Sequence, residues 1–185
     1  MNYWIGQAFG ILSTLTDISI PQFKKKWQML IANILVNLFL LLNLVFLDQI
    51  GSGIFLFAVA IVQAVVNLIH TLREQPPKKW EIGLFFCLYV GLGFYGLVTA
   101  PGFVPAVNGK NLLELLPIAG AVFSMLFVST RDESIARRYL MVCNIMWATY
   151  HTIIRSTSVF GAIFSGISCM IAIIRDKKAK AKQAK

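Results

Sequence analysis

The chain has 185 residues, 57% of them hydrophobic and only 14% charged, a balance that excludes an ordinary soluble domain. The net charge of +9 does not point to nucleic acid, because the cations sort by the stretches between apolar segments. Cys87, Cys143 and Cys169 stand singly, with no CxxC, which fits neither a disulfide framework nor a zinc site and reads as packing.

A bilayer core of about 30 Å takes about 17 to 25 apolar residues in helical form. Seven windows approach that length, near residues 3–21, 27–47, 51–72, 80–99, 112–129, 139–154 and 157–174. The expectation is an all-α membrane protein with seven transmembrane helices. Segment one does not read as a cleavable signal peptide: it lacks a basic start and runs into Pro21-Gln22-Phe23 and lysines. It carries Gly6 and Gly10 at a spacing that lets another helix come close, and Asp17 lies less than one turn before Pro21. Segment two places Asn33 and Asn37 on one face. Segment three lines up Gln63, Asn67 and His70 at i, i+4 and i+7.

The polar run Arg73 to Lys79 and the stretch Ala100 to Pro105 both break helices through their prolines, which isolates segment 80–99 as a connector. Segment five opens with Glu114, an acid suited to a helix N-terminus, just before Pro117. Segment six aligns Asn144, Trp147 and His151 at i, i+3 and i+7; segment seven aligns Ser165, Ser168 and Cys169. The basic run Lys177 to Lys185 reads as a solvated end that fixes topology and can touch anionic lipid. Trp4, Trp27, Trp80 and Tyr139 suit interfacial aromatic belts.

With the N-terminus outside, the cytoplasmic stretches receive every lysine and arginine except Lys110 and Arg155. This asymmetry fits seven spans, N-terminus out and C-terminus in. Two blocks also match. Lys26-Trp27-Gln28-Met29 leading to Asn33-Ile34 resembles Arg138-Tyr139-Leu140-Met141 leading to Asn144-Ile145, and the third and seventh segments open and close alike. Phe9-Gly10 and Ser13 are echoed by Ala119-Gly120 and Ser124. The chain therefore divides into a first three-helix repeat (1–73), a linker with the connector helix 80–99 (74–111), a second three-helix repeat (112–176) and a basic cytoplasmic tail (177–185). One intervening helix makes this 3+1+3 arrangement a parallel repeat, for which substrate sites near the midplane are expected.

The stretch Glu114-Leu115-Leu116-Pro117-Ile118-Ala119-Gly120, followed by the Arg137-to-His151 and Gly161-to-Arg175 helices, resembles the C-terminal half of the bacterial YgjV-type inner-membrane proteins. The N-terminal half resembles them more loosely. This resemblance implies a location, the bacterial inner membrane, more than an activity. At the level of fold, the 3+1+3 layout and Ile20-Pro21-Gln22 resemble the PQ-loop and SWEET transporters. That likeness implies a pocket lined by asparagines of the third and seventh helices and an aromatic of the sixth; Asn67 and Trp147 match by helix, and Ser168 stands where the last asparagine would be. Ser129-Thr130 replaces a second Pro-Gln, and segments two and six lack the hinge-like prolines of SWEET helices.

Polar side chains inside a membrane are costly and face the protein interior. Asn37, Gln63, Asn67, Asn144, Trp147, Ser165 and Ser168 are the candidate lining of a site for a neutral polar solute. The same amides and hydroxyls also serve as packing glue, worth roughly 0.6 to 2 kcal/mol a pair. Asp17, Pro21, His70 and His151 are candidates for gating or proton coupling, against the plainer reading of boundary charges and interfacial histidines. No phosphate loop, HExxH or GxSxG occurs, so neither catalysis nor a cofactor is expected. The functional expectation is a facilitator or secondary carrier of a small polar metabolite; a membrane receptor or scaffold binding a peptide or lipid is the alternative. The expected partners are the lipid bilayer and the solute, and the Gly6/Gly10 and Gly161/Ser165 pairs also permit a homo-oligomer.

Overall fold

The computed structural model describes residues 2–46, 52–99, 109–153 and 159–183, which form helices and turns with no strand among them. The helices are α1 (Asn2–Ser19), α2 (Lys26–Phe46), α3 (Ser52–Leu72), α4 (Lys79–Thr99), α5 (Gly109–Ser129), α6 (Glu133–Ile153) and α7 (Val159–Gln183), and a 3₁₀ turn, Ile20–Gln22, closes α1. The breaker stretch 100–105, Arg155 and Lys185 lie outside the described residues, as do the side chains of Lys110, Glu114, His151, Lys180 and Lys182.

Local chemistry sets the helix ends. At the start of α2, Lys25 N–H donates to Gln28 Oε1 at 3.4 Å while Gln28 N–H donates to the Lys25 carbonyl at 3.1 Å, a cap in which the side chain returns to the chain entering the helix. Glu81 does the same for α4, accepting from Lys78 N–H at 2.9 Å. Asp132 caps α6 by accepting from Ile135 N–H at 2.9 Å. At the end of α3, Gln75 N–H reaches the His70 carbonyl at 2.9 Å and Glu74 N–H reaches that of Thr71 at 3.2 Å. That pattern needs a left-handed residue, and Glu74 supplies it with φ 57°.

Three helices outrun their apolar windows. α5 starts at Gly109, which puts Glu114 beyond the first turn and Pro117 inside the helix. α6 starts at Glu133 rather than near 139, and α7 continues through the basic run to Gln183. The physical reason is common to all three: an apolar window marks hydrocarbon-compatible sequence, whereas a helix propagates into any neighbouring run with adequate propensity, such as the Ala and Lys residues after 176.

α2 packs between α1 and α3, α6 between α5 and α7, and α4 against α3 and α5; contacts of α1 with α7 and of α3 with α5 join the two ends. Gly6 and Gly10 are used inside the chain. Asn43 Nδ2 donates to the Gly6 carbonyl at 2.7 Å, and a Cβ at position 10 would lie 3.1 Å from that nitrogen. Gly161 seats Thr14 of α1 in the same manner. One core cluster gathers Ile20, Met29, Leu30, Ala32, Phe127, Val128, Leu140 and Cys169 at the Pro21 end; the other joins Phe85 and Tyr89 of α4 to Ala60, Ala121 and Met125. Apolar side chains also cover the outside, among them Ile11, Leu15, Val62, Ile145, Phe164 and Ile171, the pattern of a protein whose surroundings are not water. By length and composition, Lys26–Asn43 and Val159–Ala179 suffice to cross a membrane, and Leu56–Leu72 and Leu115–Ser129 are shorter apolar helices.

Candidate functional site

The polar residues predicted from helical spacing fall into three groups. In the first, α6 and α7 are joined by a hydrogen bond close to Asp17 of α1. Asn144 Nδ2 donates to Ser165 Oγ at 2.9 Å, and Ser165, fully buried, has the Asp17 carboxyl nearby. The same Asn144 amide lies 3.9 Å from Cys169 Sγ. One turn along α6, Trp147 lies close to Cys143 and meets Tyr150 edge-on, with ring centroids 6.1 Å apart. Its indole occupies the space left by Gly120, where a Cβ would lie 3.0 Å from Nε1. Amide, hydroxyl, carboxylate and indole bring donors, an acceptor and an apolar face into one neighbourhood.

The second group closes the Pro21 end. Ser168 Oγ donates to the Ile18 carbonyl at 2.6 Å and accepts from Gln22 Nε2 at 2.8 Å. Pro21 is buried, and its carbonyl accepts from Arg137 Nε at 2.9 Å. Arg137 Nη2 reaches the Phe23 carbonyl at 2.6 Å, and Nη1 pairs with Asp176. Arg175 Nη1 donates to Gln22 Oε1 at 3.0 Å, and its Nη2 lies 3.4 Å from the Gln22 carbonyl. A turn that ends α1 is thus gripped by two guanidiniums from α6 and α7, each suited to several acceptors at once by its planar fork. Beside them Lys26, buried despite its charge, donates to the Phe127 carbonyl in the last turn of α5 and lies 4.4 Å from the centre of that residue's ring, where a cation complements the helix dipole.

The third group, on α2 and α3, is more local. Asn37 Nδ2 bonds the Asn33 carbonyl at 2.7 Å and Asn67 Nδ2 the Gln63 carbonyl at 2.9 Å, each within its own helix. Gln63 reaches across to α5, donating to Ser129 Oγ at 3.2 Å and to the Met125 carbonyl at 3.4 Å. Among the described residues, Asn33 Nδ2, Gln63 Oε1 and His70 Nδ1 are buried without a hydrogen-bond partner. His70 Nε2 lies 2.9 Å from Glu81 Oε2, tying α3 to α4.

The structure therefore unites Asp17, Asn144 and Ser165, and joins Ser168 to Pro21 through Gln22, whereas Asn37 and Asn67 turn back on their own backbones. Gln22, Lys26, Arg137, Arg175 and Asp176 were not singled out by sequence spacing, which treated Lys26, Arg137 and Arg175 only as flanking charges. The signal was present. Arg137 extends the Asn144–Trp147 stripe back by two turns, Arg175 continues the Ser165–Ser168 stripe, and Lys26 precedes Asn33 and Asn37 at i+7 and i+11. Tyr139, assigned to an aromatic belt, is half-buried and packs against the Pro21-end core with Phe123 6.4 Å away.

Among the described residues, seven helices with apolar outer faces, two of them long and apolar enough to span, and buried charged groups held in hydrogen-bonded sets define an α-helical membrane protein. The model of the bacterial inner membrane protein family Imp-YgjV matches residues 4–180. The chain belongs to that family, and its location is the bacterial inner membrane. No curated protein and no solved structure matches it.

Proposed function

We propose that this protein is a carrier, not an enzyme, for a small polar metabolite, with seven spanning helices in a 3+1+3 parallel repeat, the N-terminus outside and the C-terminus inside. The observation that carries this reading is the buried Asn144–Ser165 pair with the half-buried Asp17 nearby and Trp147 one turn along α6, drawn from three helices where α7 meets α6 and α1. Packing glue needs one bond between two helices; a carboxylate, an amide, a hydroxyl and an indole gathered inside an apolar bundle exceed that need. The excess of basic residues in alternate connecting stretches supports the orientation. In this reading the Pro21 end is the cytoplasmic gate, closed by Arg137 and Arg175, and alternating access requires those contacts to break as one three-helix unit moves against the other.

A thermal-shift screen of the detergent-purified protein against sugars, nucleosides, vitamins and amino acids tests it, since a ligand of the folded state raises apparent stability by mass action. The expected result is a stabilising solute whose effect is lost in Trp147→Ala and weakened in the milder Trp147→Phe, with matching loss of uptake in vesicles. Trp147→Ala vesicles that transport a stabilising solute at the normal rate would remove the site assignment. A screen without any stabilising solute would favour the receptor or scaffold alternative.

A further inference from the structure

Along the outer face of the last two turns of α7's apolar part runs a shallow groove of about 450 Å³, lined by Ile171, Ile174, Arg175, Lys178 and Ala179. Its two ends differ in chemistry. Ile171 and Ile174 are 53% and 46% exposed, bare apolar surface on the outside of the bundle. Lys178 is exposed at the other end, beside exposed Lys177. Helical spacing of i, i+3, i+4 and i+7 puts Ile171, Ile174, Arg175 and Lys178 on one face, so hydrocarbon-like surface gives way to positive charge within one groove.

Among the described residues, no acid pairs with Lys178. The nearby acid, Asp176, pairs with Arg137 and stands 3.9 Å from Arg175 Nε. Arg175 directs its Nη groups to Gln22 and leaves its side chain 41% exposed. Because α7 stays helical through the basic run, Lys178 is held on the groove by the backbone.

We propose that this groove binds one anionic phospholipid, with an acyl chain along Ile171 and Ile174 and the phosphate at Lys178 and the open edge of Arg175. The proposal rests on the reading that α7 spans the bilayer and that its basic end lies at headgroup level; it does not rest on transport. Since Arg175 also holds Gln22, a phosphate beside it keeps that guanidinium in place and favours the closed Pro21 end.

The test is native mass spectrometry of the purified chain titrated with phosphatidylglycerol or phosphatidylcholine. Wild type should retain one phosphatidylglycerol in preference to phosphatidylcholine. Lys178→Gln should lower phosphatidylglycerol affinity about fivefold, the effect of one basic residue near an anionic surface, whereas Lys79→Gln on α4 should leave it unchanged. Ile171→Asn should weaken both lipids. Equal retention of the two lipids by wild type, or equal loss in Lys79→Gln and Lys178→Gln, would overturn the site. Failure here would leave the Trp147-dependent solute effect untouched, so the two readings fail separately.

Discussion

The polar stripes of α2 and α3 and those of α6 and α7 use the same residue types in different ways. Asn37 and Asn67 satisfy their amides on the carbonyl one turn back, so neither bond holds two helices together. Asn144, Ser165 and Ser168 bond outward, to each other's helices, to α1 and to the turn that follows it. A self-satisfied amide adds little to tertiary stability yet can swing toward a ligand at small cost. An amide bonded to a neighbouring helix couples any ligand it binds to the packing of the bundle. In the proposed carrier, the first pair of helices would offer adaptable donors, and the second would carry the contacts through which binding moves helices.

The largest effect that sharpens this contrast is expected at Arg137. Arg137→Ala removes a buried guanidinium from two carbonyls and from Asp176, and breaking such a buried ionic set costs about 3–5 kcal/mol. Thermal denaturation in detergent should show a large fall in melting temperature. Arg137→Lys should recover only part of it, because an ammonium lacks the fork that reaches all three partners. A lysine variant as stable as wild type would mean that the Pro21 end is held by apolar packing alone.

A smaller, more direct comparison sets Asn144→Ala against Asn67→Ala. The first should destabilise by about 1–2 kcal/mol, the scale of an interhelical polar contact in a membrane protein, and should couple to Ser165→Ala in a double-mutant cycle. The second should cost clearly less, because its amide bond lies within its own helix. Equal losses would erase the distinction between local and outward-bonded stripes.

The smallest effect lies at the end of α3, where the chain is again secured locally. Glu74 adopts φ 57°, which costs a non-glycine residue roughly 1 kcal/mol. Glu74→Gly should therefore raise stability by up to about 1 kcal/mol, read as a modest gain in melting temperature, while leaving the His70–Glu81 contact in place.

Much of this architecture is legible without coordinates. Apolar window length located all seven helices, because a bilayer-sized hydrophobic run leaves few other structures that satisfy the backbone. Pro21 marked the end of α1, and of the three cysteines read as packing residues Cys143 and Cys169 are buried whereas Cys87 is exposed. Helix starts were less legible, as α6 shows: Asp132 and the following polar turn, not the apolar edge, decide where it begins. Spacing also identified Asn144, Ser165 and Ser168 as inward-facing, since periodicity fixes which residues share a face.

Which partner each face meets belongs to the tertiary structure. Helical periodicity fixes angular position on one helix, but pairing depends on the rotation, tilt and depth of the neighbour, which are settled by packing across the whole bundle. Gly6 and Gly10 could have met a second copy and instead seat Asn43. Arg137 and Arg138 are adjacent cations of equal standing in the sequence. Only the fold turns Arg137 onto the Pro21 turn and leaves Arg138 exposed, because a 100° step along a helix separates the interior from the surroundings.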